Sequence, residues 1–108
     1  KEKNFMMKFL VTFLYFISID AKEVSWVGQW LAVDEWKSEF IINIKNNGKA
    51  HSNYANGEDG SWKVKDGNLE IIWESGKKDY IFLGVMGTQR LHKSKSKSYT
   101  SGLQKLSD

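Results

Sequence analysis

Turn signals recur roughly every ten residues along most of this chain, and that spacing restricts it to short antiparallel strands. EFIINIK (39–45) puts Phe40, Ile42 and Ile44 on one face at period two. NNGK (46–49) follows. Its Asn-Gly pair predicts a two-residue type I′ turn, which needs positive φ at both central residues. AHSNYA (50–55) reads as the returning strand, and NGEDG (56–60) turns again. SWKVK (61–65) places Trp62 and Val64 together, DGN (66–68) is a third turn, and LEIIWE (69–74) alternates Leu69, Ile71 and Trp73 with Glu70 and Glu74. SGKK (75–78) leads into DYIFLGV (79–85). With SWVGQWLAV (25–33), TQRLHK (88–93) and SYTSGLQKL (98–106) the set comes to about eight strands. Proline is absent, so no strand is marked as an edge by that route. A meander of about eight strands can close on itself and remove its edges. The expected fold is all-β: a small antiparallel up-and-down sheet forming a closed or half-open barrel.

The start of the chain is different in kind. Lys8 precedes an uncharged run from Phe9 to Ile19, followed by Asp20 and Ala21. A bilayer span needs roughly 20 apolar residues, and this run falls short. A positive start, an apolar core of about 7–15 residues and a small residue at the end make a secretory signal. The alternative is an N-terminal helix packed on the domain. The signal reading makes Met6 or Met7 the initiator and 1–21 the leader, a signal helix with its upstream residues. It leaves 22–108 as one β-barrel domain in the periplasm or the extracellular medium.

A domain of this size buries only about 60–65% of its unfolded surface. Small exported domains often compensate with disulfides, but this chain has no cysteine. Its five tryptophans must compensate instead, and all of them (Trp26, Trp30, Trp36, Trp62, Trp73) follow the leader.

Two G-x-W units stand in equivalent contexts, Gly28-Gln29-Trp30 and Gly60-Ser61-Trp62. In a strand the glycine and the tryptophan share a face, which leaves bare backbone for the ring to cover. The first unit resembles the opening strand of lipocalins and avidins. That resemblance implies a late cationic side chain lying across Trp30 and closing one end of the barrel, with Arg90 as the candidate and Lys105 as the alternative. The longer succession GQW, NNGKA, GSW, LEIIW and SGKKDY is similar to small exported bacterial proteins with G-x-W repeats.

Catalytic and metal-binding signals are sparse. There are two histidines, His51 and His92, and zinc would need a cluster of His, Cys or carboxylate ligands. His51 reads as a surface residue. Glu58 and Asp59 in NGEDG lack the ligand ladder of a calcium loop. No context singles out a serine nucleophile. The expectation is no enzyme, no catalytic residue, no metal and no cofactor.

Charge is more informative. The formal net charge is +3, yet residues 22–89 hold more acids than bases, and Arg90, Lys93, Lys95, Lys97 and Lys105 crowd the end. Alternation would put Lys93, Lys95 and Lys97 on one side of a regular strand, a stripe suited to lipid headgroups or acidic glycans. A solvated, lysine-protected hairpin is the plainer reading. Nucleic acid is not expected as a partner, since no recognition motif accompanies the charge. Trp36, in VDEWKSE (33–39), sits where a turn is expected, and there it either stacks on a sugar or plugs the barrel mouth.

The function expected is an exported, monomeric binding or accessory module. Its ligand is a small molecule or glycan, with Trp36, Trp30 and Arg90 as contacts. The alternative is a structural envelope protein held to an anionic surface by Lys93, Lys95 and Lys97.

Overall fold

A computed structural model of the chain describes residues 25–108. The expected leader, its helix and its cleavage at Ala21 lie outside the described residues. Eight strands follow in sequence order: β1 (Gly28–Val33), β2 (Glu39–Ile44), β3 (Lys49–Ser52), β4 (Glu58–Lys65), β5 (Asn68–Trp73), β6 (Lys78–Gly84), β7 (Gly87–Lys93) and β8 (Ser98–Ser107). Each pairs antiparallel with the next, and β8 returns to pair with β1. The sheet is therefore a closed barrel rather than a half-open one. Closure satisfies backbone groups that an open edge would leave unpaired.

The period-two pattern decides what faces inward. Trp30 lies opposite Ile42, and Ala32 lies opposite Phe40. Ile44 and Ala50 continue the same face, and Leu69, Ile71, Ile81 and Leu103 complete the core from the other side. These side chains pack into one buried cluster inside the barrel. Burying one such side chain contributes about 1.5–3 kcal/mol.

Two turns differ from expectation. At 46–48 only Gly48 has positive φ (84°). Lys45 N–H donates to Lys49 O, so the loop holds three residues and needs a single left-handed position. The type I′ pattern occurs at Asp66-Gly67, where φ is 55° and 84° and Lys65 pairs directly with Asn68. The second turn falls three residues earlier than expected, at 53–57, because β3 ends at Ser52. β4 starts at Glu58, because left-handed Ala55 and Gly57 complete the reversal before it.

The topology gives the barrel two unlike ends. The turns at 34–38, 53–57, 74–77 and 94–97 form one end, here called the mouth. The turns at 45–48, 66–67 and 85–86, with the start of β1 and the end of β8, form the base.

The base is plugged by tryptophan. Trp30 Nε1–H donates to the Trp26 carbonyl at 2.9 Å, and the two rings lie 5.9 Å apart. Lys105 Nζ sits 5.7 Å from the Trp30 ring, and β8 register places Lys105 directly across from Trp30. Arg90 does not cover this ring. It pairs with Ile81 and Ser101, nearer the mouth, so the cation closing the base is Lys105.

The glycines of the G-x-W units also act across strands. A Cβ on Gly28 would collide with the Ser107 carbonyl, so β8 backbone, not Trp30, occupies that space. A Cβ on Gly60 would lie 2.8 Å from Trp73 Cε3, so the ring resting on that bare backbone belongs to the neighbouring strand. Trp62 packs half-buried against the core and donates Nε1–H to the Lys45 carbonyl at 2.7 Å.

Candidate functional site

The core turns polar as it approaches the mouth. Asp79 shares the inward face of β6 with Ile81, and Arg90 and His92 share that of β7. Asp79 Oδ1 accepts from Arg90 Nη1 at 3.1 Å and from His92 Nδ1 at 2.8 Å, while Oδ2 accepts from Trp73 Nε1 at 2.8 Å. Arg90 is 1% exposed. Its Nη2 donates to the Tyr99 hydroxyl at 3.1 Å and to the Val33 carbonyl at 3.4 Å. The guanidinium lies between the Phe40 and Tyr99 rings, 5.2 and 5.4 Å from their centroids. Each such contact contributes about 0.5–2 kcal/mol. Arg90 Nε has no hydrogen-bond partner among the described residues.

This cluster floors a pocket of about 100 Å³. Phe40 and Tyr54, with rings 4.8 Å apart, form one wall, and His92 and Tyr99, 5.2 Å apart, form another. Glu35, Glu58, Lys77 and Lys97 stand around the opening. Lys97 Nζ bonds Glu35 Oε1 at 2.7 Å, so this pair brings the rim little net charge. Because the Asp79 carboxylate accepts at His92 Nδ1, that nitrogen carries a proton, which leaves Nε2 as the ring nitrogen free to meet a ligand. No serine hydroxyl bonds His92 among the described residues. Ser94 Oγ donates to Lys97 O and Ser101 Oγ donates to Val33 O.

Asp34 braces the first mouth loop. Its Oδ1 accepts from the Trp36 and Ser38 N–H groups at 2.8 Å each, and its Oδ2 accepts from the Tyr54 hydroxyl at 3.0 Å. Burial works to raise its pKa, but the Ser38, Tyr54 and Trp36 donors and the Arg90 charge outweigh it and hold the carboxyl below 3.8. The bond to Asp34, chiefly, pushes the Tyr54 hydroxyl up, and burial chiefly raises Tyr99. A carboxyl with a depressed folded pKa contributes stability above its unfolded value and loses it as pH falls through the folded one. Asp34→Asn should therefore lessen the loss of stability below about pH 4. Urea midpoints measured from neutral pH to acid check this; parallel profiles for parent and variant would refute it.

The residues singled out in the sequence do not come together. Arg90 is in the pocket floor, and Trp30 is at the base. Trp36 is on the mouth loop, 75% exposed and outside the pocket lining, so it is not a plug over the barrel end. Lys93, Lys95 and Lys97 do not form one stripe, because β7 ends at Lys93 and the chain turns through 94–97. Lys93 lies over Tyr80 on the outer wall at 6.0 Å, while Lys97 reaches the rim. Asp79, His92, Tyr99, Asp34 and Tyr54 were not legible as site residues. The available signal was parity: Asp79 falls in phase with Ile81, and His92 in phase with Arg90, on strands whose other face meets solvent.

Fold and site together define the class: an eight-stranded up-and-down β-barrel, filled at its base and polar at its mouth. No family model matches the chain, and no curated protein or solved structure is significantly similar to it.

Proposed function

We propose that this protein is an exported, lipocalin-like binding module that takes a small, ring-bearing polar ligand at the barrel mouth. The observation that carries this reading is the aromatic-walled pocket over the Arg90–Asp79 pair. Pockets for drug-sized ligands run to roughly 300–1,000 Å³. This one, near 100 Å³, suits about one small ring. Its walls can stack on a ring face. His92 Nε2 and the Tyr54 and Tyr99 hydroxyls can take a ligand's polar edge. Trp36, exposed on the same rim, would add a stacking face outside the pocket. A barrel interior filled by Ile42, Leu69, Ile71 and Ile81 argues against a long acyl chain as ligand.

The test is ligand-observed NMR with a panel of monosaccharides and small aromatic acids and amides. At least one class should bind, and His92→Ala and Tyr54→Ala should each weaken it about tenfold or more. Trp36→Ala should weaken it less and leave the melt unchanged. Binding indifferent to both pocket substitutions, or no binding across the panel, would defeat the reading. The export part rests on the sequence of 1–21, and intact-mass measurement on protein recovered from a bacterial envelope fraction tests it. A mass that includes 6–21 would refute cleavage.

A further inference from the structure

The base carries an anomaly that the pocket does not explain. The hairpin between β6 and β7 turns through Val85 and Met86, both almost fully exposed, with Leu83 beside them also exposed. Two-residue turns ordinarily carry Gly, Asn or Asp at these positions, residues that serve the backbone or meet water. Here Gly87, at φ 117°, takes the unusual backbone angle, and Val85 and Met86 are spent on the tip. Val64 and Leu106 add exposed apolar surface at the same end.

The charges at the two ends differ. Lys45, Lys49, Lys65 and Lys105 ring the base against Asp66 and Asp108. At the mouth six acids (Asp34, Glu35, Glu39, Glu58, Asp59 and Glu74) offset the six lysines of the turns and strand ends, and Asp79 pairs with Arg90. The net basic surface therefore lies at the end that carries the apolar tip, on the β2–β3 and β4–β5 turns across the rim from it, and not around the pocket. A barrel end that combines an apolar tip with lysines on its other turns matches an anionic lipid surface, with headgroup charge meeting the lysines and the acyl boundary receiving the tip. Ser25, the first described residue, lies at this same end, and its carbonyl accepts from Lys105 Nζ at 3.3 Å.

We infer that the base of the barrel docks on anionic lipid bilayers, with Val85 and Met86 entering the interface and the mouth pocket facing away into solvent. This assigns surface contact to the end opposite Lys93, Lys95 and Lys97. The lysine contribution fades within a Debye length of about 8 Å at physiological salt, whereas the apolar contribution does not.

Residues 22–108 carry every strand and core side chain described above, so that chain is the one to test. It is sedimented with vesicles of phosphatidylcholine alone and with added phosphatidylglycerol, at low and physiological salt. The parent should pellet with the anionic vesicles, less at higher salt. Val85→Asp with Met86→Asp should reduce the partition coefficient about tenfold or more at either salt, with an unchanged melt since both residues are exposed. Lys45→Gln, Lys49→Gln and Lys65→Gln together should reduce it several-fold at low salt, and Lys93→Gln, Lys95→Gln and Lys97→Gln should leave it within twofold. The inference is overturned if the parent ignores anionic vesicles, or if the Val85/Met86 variant pellets like the parent. It is equally overturned if the tip instead covers a second copy, seen as a dimer by sedimentation velocity that the same variant dissociates.

Discussion

Replacing Asp79 with alanine should destabilise the barrel by about 3–5 kcal/mol, the usual penalty for leaving a buried charge without its partner. Arg90 sits almost wholly inside the barrel, and Asp79 is its only carboxylate contact among the described residues. The substitution also strands the Trp73 and His92 N–H groups that Asp79 accepts. Small domains have about 5–15 kcal/mol in total, so the variant should be unfolded or nearly so. The pair is not itself a large source of stability, since desolvating two ions offsets most of their attraction. Asp79→Leu combined with Arg90→Met should therefore recover much of the loss. Chemical denaturation of the parent, the single variant and the double variant separates these terms. A single variant with the parent's midpoint would show that the carboxylate does not compensate Arg90.

Trp30→Ala is the second large effect. The ring is buried, packs on Trp26 and Ile42, and closes the base under Lys105. A large-to-small change at such a site costs about 3–5 kcal/mol through lost transfer energy and the cavity left behind. Trp36→Ala, on the exposed mouth loop, should stay within about 0.5 kcal/mol of the parent. Lys105→Met should fall between them, because it removes a cation–π contact of about 0.5–2 kcal/mol while keeping most of the apolar stem. Thermal melts of the three variants rank these effects directly. If Trp36→Ala were the one to collapse, the base would not be where the barrel closes.

The strands, their order and their inward faces were set by local chemistry. Alternation in EFIINIK and LEIIW leaves one apolar side, and short glycine-bearing turns leave no length for a crossover, so each strand pairs with the next. Eight such strands closed into a barrel. The exposed histidine is of the same kind: His51 bonds Asp59 across β3 and β4 on the outer wall, where neighbours in register meet. The partners of the G-x-W glycines, the cation over Trp30 and the membership of the mouth cluster were decided only by tertiary structure. Each depends on the register with which β8 meets β1 and β7 meets β8, and register is a relation between segments distant in sequence. Trp30 and Lys105 stand opposite one another because the sheet closes with that offset; Arg90 was thereby left to reach Asp79 instead. The sequence by itself determined which residues must hide from water. Which of the hidden polar groups face one another followed from the shear of a closed sheet, where one residue of slip would exchange every inward side chain for an outward one.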